Sequence, residues 1–248
     1  YNTMLFYPKI RYILTVAVLL IVPRMRLNAQ YYDWGQEPAS VKWLQIKTCN
    51  GRFVFPDNFT RQAIRLMHYM DTVRPHASYG FTHGPMKYPL LMHTQNFSPN
   101  GIVMLAPKRM ELITTPPADT YAMPWLKQLA AHESRHAVQY NNANRGMIKA
   151  LSYVLGQQAG LIGTVSMPFW MMEGDAVITE TQMSAFGRGL QPSFTIDYRM
   201  MAIEGKRYRK DKYFSGSFKD NMPSHYELGY QMMSWAYDKY GAGMWDPI

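Results

Sequence analysis

The chain has a single cysteine, Cys49, among its 248 residues. An intrachain disulfide is therefore impossible, and a zinc site built from thiolates is excluded, so any bound metal must be held by His, Asp or Glu. Acidic residues are the scarcer charge: 17 Asp and Glu stand against 26 Lys and Arg. The resulting formal charge of +9 suits anionic surroundings such as phospholipid, acidic glycan or nucleic acid. Long apolar runs are also missing. Residues 12–22 form an apolar stretch of 11 residues, well below the roughly 20 needed to span a bilayer. Flanked by Lys9 and Arg11 and followed by Leu27-Asn28-Ala29, this stretch reads as the core of a signal peptide over residues 1–29. The expectation is an exported protein, periplasmic, on the outer surface or secreted, with one domain over residues 30–248 that continues beyond the given end. Residues 150–172 carry no charge, but Gln157, Gln158, three glycines and Pro168 argue for a buried core helix rather than a membrane span.

The pattern along the chain runs from strands to helices. Apolar and polar residues alternate over 41–47, a turn falls at Cys49-Asn50-Gly51, and residues 52–55 return, which predicts a β-hairpin. Pro56-Asp57 then opens a helix with Asp57 as N-cap and Phe59, Ala63, Met67 and Met70 on one face. Short strands are expected at 90–92, 102–105 and 110–114, before Pro116-Pro117. A central helix begins at Pro124 with the inner stripe Trp125, Leu129, His132, His136 and Tyr140, and further helices are expected at 146–163, around Glu173, at 194–204 and at 226–240. Strands first and helices later predict an α+β fold, with a β-rich lobe over 30–118 and a mainly helical lobe over 119–248.

The chemistry lies in His132-Glu133-Ser134-Arg135-His136. Residues four apart on a helix share a face, so both imidazoles can reach one ion, while Glu133, about 100° round the helix, faces a water on that ion. A zinc ion lowers the pKa of such a water to about 7, and Glu133 is placed to take its proton. With seven histidines and seven glutamates in the chain, chance alone yields this pattern with a frequency on the order of 0.5%. Glu173 is the leading third ligand. Glu180, two turns further along the same face, and Asp175 are candidates to orient a ligand histidine by hydrogen bonding.

His132-Glu133-x-x-His136 followed by Trp170-x-x-Glu173-Gly174-x-Ala176-x-x-x-Glu180 resembles the gluzincin metallopeptidases, particularly the branch related to zinc aminopeptidases and peptidase MA-like domains. The resemblance covers roughly residues 40–245, with the apolar 146–163 segment inserted between the ligand segments. It implies a thermolysin-like fold with the active-site helix between the two lobes, and zinc-dependent hydrolysis of peptide bonds with Glu133 as general base. It also implies a substrate strand before the metal helix, either residues 106–115, with Ala106 and Met110, or residues 102–105. In His225-Tyr226-Glu227-Leu228-Gly229, Tyr226 matches the tyrosine that stabilises the oxyanion, with His225 as the alternative.

Two other functions compete. One is a catalytically silent domain of this kind that binds peptide or glycan, or scaffolds the cell envelope. The other rests on residues 206–214, where five cations in seven residues, interleaved with tyrosines, could grip phosphate or an acidic glycan; a solvated loop is the plainer reading, and a membrane or anionic envelope glycans are further candidate partners of the chain. No nucleic-acid-binding motif accompanies it, so nucleic acid is not the expected partner; the resemblance implies a peptide or protein substrate.

Overall fold

The computed structural model describes residues 37–118 and 123–245, all within one compact unit that begins at Gly35. The apolar stretch at 12–22, its cleavage site and the chain end at 246–248 lie outside the described residues. None of the described helices is long and apolar enough to cross a membrane.

The fold is α+β. One five-stranded sheet contains β1 (Trp43–Lys47), β2 (Gly51–Pro56), β3 (Tyr88–His93), β4 (Gly101–Leu105) and β5 (Lys108–Ile113), in the order β1-β2-β3-β5-β4. β1 and β2 form the expected hairpin, with Trp43 opposite Pro56 and Lys47 opposite Arg52. The next pairings, β2 with β3 and β3 with β5, are parallel, and parallel neighbours need crossovers. The first crossover is helix α1 (Thr60–Ala77); the second contains β4, which doubles back antiparallel to β5 and ends the sheet. Among the described residues β4 therefore has one paired edge and one edge without a strand partner.

α1 buries Ala63, Leu66, Met67, Val73 and Ala77; of the face expected from its periodicity, Ala63 and Met67 are buried, and Phe59 and Met70 pack partly buried against the same core. Asp57 does not cap it: residues Asp57–Phe59 form a single 3-10 turn, and Phe59 precedes the first α-helical residue without a side-chain cap. α1 and the sheet pack with α2 (Trp125–Ala143) into one apolar core that includes Phe55, Leu66, Met92, Met110, Leu112, Leu129 and Val138. The two lobes thus share a core, and α2 is the element they share.

Beyond α2 the chain forms α3 (Gly146–Leu155), the short α4 (Leu161–Thr164), α5 (Phe169–Gln182), α6 (Ile196–Ile203), α7 (Lys210–Ser215) and α8 (His225–Tyr240). A second apolar cluster of Ala143, Met167, Met172, Ile178, Met233 and Trp245 holds α5 and α8 against the end of α2. The helix expected at 146–163 and the buried core helix expected over 150–172 are both corrected. The helical run breaks at Gly156, whose φ of 84° no right-handed helix accommodates, and α3 buries none of its residues. The basic stretch is not all loop: α7 begins within it at Lys210, and Lys212 is held by Asp220.

Candidate metal centre

His132 and His136 sit one turn apart on α2 with their Nε2 atoms 3.1 Å from each other. Glu173 Oε2, from α5, is 3.0 Å from His132 Nε2 and 3.4 Å from His136 Nε2. Zinc bonds of about 2.0–2.1 Å at tetrahedral angles put neighbouring donor atoms about 3.3 Å apart, so this triangle has the size of one face of such a site. All three residues are buried, and among the described residues they are the one group of His, Cys, Asp or Glu that could hold a metal ion.

The donor chemistry fits a cation as well as the spacing does. His132 Nδ1 is 3.1 Å from Glu180 Oε2, and His136 Nδ1 is 2.8 Å from Gln139 Oε1. Both partners are acceptors, so each Nδ1 donates outward and each Nε2 turns its lone pair toward the shared point. Two lone pairs and a carboxylate facing one another repel unless a positive charge lies between them. The pocket's titration follows the same logic. Burial opposes protonating His132, yet Glu173 and Glu180 outweigh it and push its pKa up to about 10. Burial likewise opposes protonating His136, and Glu173 overrides it upward. Despite burial, His136 and His132 hold the Glu173 carboxyl well below the usual carboxylate range.

Each of the two histidines is braced from behind. Glu180 is fully buried and is gripped by Arg188 through Nε and through Nη2 at 2.9 Å. Arg188 and His132 hold its carboxyl ionised against the effect of burial. On the other side, the Gln139 amide donates to Asp175 Oδ2 at 2.7 Å and to the Met172 carbonyl at 3.0 Å, which leaves its oxygen for His136. Asp175 therefore reaches a ligand only through Gln139. Its main role is a buried ion pair with Arg135, at 2.6 and 2.9 Å, joined by the Tyr237 hydroxyl at 2.7 Å. Arg135 also donates to the carbonyls of Ala77 and Tyr79, tying the metal helix to the end of α1.

The Glu173 segment is brought in by a close helix crossing. A Cβ on Gly174 would collide with the backbone of Gly229, and one on Gly229 with the Trp170 carbonyl and Gly174. α5 and α8 touch main chain to main chain there, which carries Tyr226 to the His132, His136 and Glu173 group. The Tyr226 ring lies 6.3 Å from that of His132, and Arg188 stacks over it at 5.4 Å. Burial, with Glu173 nearby, raises the Tyr226 pKa, so the hydroxyl stays a proton donor. His225 sits one ring further out, between Phe169 and Tyr226, and burial lowers its pKa.

Glu133 faces the sheet. Its carboxylate packs directly against the Gly101 backbone at the start of β4, in space that any Cβ at residue 101 would occupy. Glu133 Oε2 is buried without a hydrogen-bond partner, and burial raises the pKa of the group although His136 and His132 oppose this. Of the two expected substrate strands, β5 is internal, so Met110, buried and paired with Leu90 and Val103, has no free backbone edge. Ala106 lies in the turn at the far end of β4 from Gly101. The free edge belongs to β4.

Sequence reasoning missed Gln139, Arg135 and Arg188. Gln139 was within reach, since i and i+3 are neighbours on a helix and it follows His136 by three. Arg188 lies in an irregular segment after α5, where no periodicity points to it. Comparison of the chain with known protein families, with curated proteins and with solved structures finds no match.

Proposed function

We propose that this chain is a zinc-dependent peptide hydrolase of the gluzincin type, exported from the cell. The observation that carries the reading is the His132, His136 and Glu173 triangle with an unpartnered Glu133 carboxylate beside it. His132, His136 and Glu173 would hold the ion, and the His and Glu donor set is that of zinc hydrolases. The ion when bound would supply Lewis acidity toward a substrate carbonyl and toward water.

Glu133 is the base. Its raised pKa suits a group that accepts a proton from the attacking water and returns it to the leaving amine. Tyr226 supports the oxyanion, because a protonated phenol beside the ligand set can donate to negative charge that develops on the substrate oxygen. A peptide would lie extended along the free edge of β4, where main-chain pairing is tolerant of side chains, and Gly101 brings that edge against Glu133.

The test is zinc content followed by digestion of a mixed peptide library with wild type and Glu133→Gln. Wild type is expected to cleave, and Glu133→Gln to keep its zinc while cleavage falls by about 10²–10⁴-fold. Zinc binding with no cleavage by the wild type would make the chain a silent peptide-binding domain.

A further inference from the structure

Between the two ligand segments the chain does something that the metal site does not require. Residues 134–172 contain no acidic residue, and α3 and α4 within them form a helical hairpin that is apolar and open to solvent. The hairpin is a built element: Gly163 packs on the Ala143 carbonyl and Ile148, and Gly160 on Leu105 and Asn144. Yet Met147, Tyr153, Val154, Leu155, Ile162 and Val165 are more than half exposed, with Val154 at 81% and Val165 at 80%. Large apolar residues gathered on one exposed element mark a surface that is covered in use.

Beside the hairpin is a cleft of about 430 Å³ lined by Lys87 next to β3, Lys108 from β5 and Lys149 and Tyr153 from α3, with Asn141, Asn144, Ser152 and Gln157 among its other walls. No acid lines it. Lys108 is partly desolvated and lies 5.2 Å from the Tyr88 ring. The Asn144 side-chain oxygen is buried without a partner at the base of the hairpin. The cleft thus gathers three cations and several neutral hydrogen-bonding groups against an apolar ledge. At ten residues, α3 is about 15 Å long, half a bilayer core, so the hairpin can lie on a membrane but cannot cross one.

We infer that the α3–α4 hairpin docks the protein on an anionic phospholipid surface, with its apolar side chains among the acyl chains and a lipid phosphate in the Lys87, Lys108 and Lys149 cleft. Charge complementarity points to the occupant: a cation cluster bordering an apolar ledge matches a layer that is anionic above and apolar below. The inference is independent of hydrolysis.

The test uses the full metal-loaded chain, co-sedimented with phosphatidylcholine vesicles with and without phosphatidylglycerol, at low and high salt. Wild type is expected to bind the anionic vesicles more tightly, and added salt to weaken that preference. Val154→Asp with Leu155→Asp is expected to reduce binding at least about tenfold. Lys87→Gln with Lys149→Gln is expected to remove the preference for anionic over neutral vesicles. Both pairs change exposed side chains, and unchanged thermal melts verify that the fold is intact. Vesicle binding that survives the double aspartate variant, including binding driven by residues 1–34, overturns the inference. So does a wild type that ignores vesicles but sediments as a dimer that the double aspartate variant dissociates.

Discussion

Gly174 on α5 and Gly229 on α8 meet with no side chain between them, and this contact sets how far Glu173 and Tyr226 stand from the two histidines. Each glycine lies within three residues of a group in the site. The helix crossing and the ligand geometry are therefore one structural fact.

Gly229→Ala is expected to push α8 away from α5, because the added methyl would meet the Trp170 carbonyl, which cannot rotate aside. Overpacking of this kind costs about 1–3 kcal/mol. Denaturant unfolding of the variant should show that loss, and its zinc affinity should fall because Glu173 moves with α5. An unchanged midpoint with unchanged affinity would mean that the crossing does not position the ligand.

Glu180→Gln tests the bracing of His132. The substitution keeps an oxygen for His132 Nδ1 but removes the charge that pairs with Arg188 and polarises the imidazole. Loss of such supporting partners typically costs 10–100-fold in metal affinity. Competition with a chelator at fixed pH measures it, and affinity equal to wild type would reduce Glu180 to a partner of Arg188 alone.

The two candidate ligand histidines were legible because helical periodicity is a local property: Leu129, His132 and His136 share a face in any helix of this length. Of what surrounds them, Glu180 was legible from its spacing after Glu173 and Gln139 from its place on the same face as His136, but the rest was not. Gln128, Ser134, Arg135 and Asn142 are all buried on α2 although they lie off the apolar stripe. Their partners, such as Asp175, the Ala77 carbonyl and the loop at His83, are distant in sequence. The position of Met110 failed for a related reason, since only the order β3-β5-β4 shows that its strand is internal. The 146–163 segment failed differently: apolar composition is the same for a core helix and for one that faces outward, and exposure alone separates them.

Glu227 gives a pH signature. Burial, with Asp197 nearby, raises its pKa from 4.5 to about 7, and its Oε2 is buried without a partner. Between those values the folded chain holds a proton that the unfolded chain has lost, so this group makes stability fall as pH rises from about 4.5 to about 7. Glu227→Gln removes the effect. Thermal melts should show the variant more stable than wild type at pH 8 and close to it at pH 4; the opposite order would contradict the assignment.

The most direct measurement is the zinc content of the purified chain after dialysis against trace zinc, read by native mass spectrometry. One zinc per wild-type chain is expected, one in Glu133→Gln, whose changed side chain is the proposed base and not a ligand, and none in His136→Ala or Glu173→Ala. A wild type that takes up no metal, or a His136→Ala variant that loads as fully as wild type, would contradict that expectation.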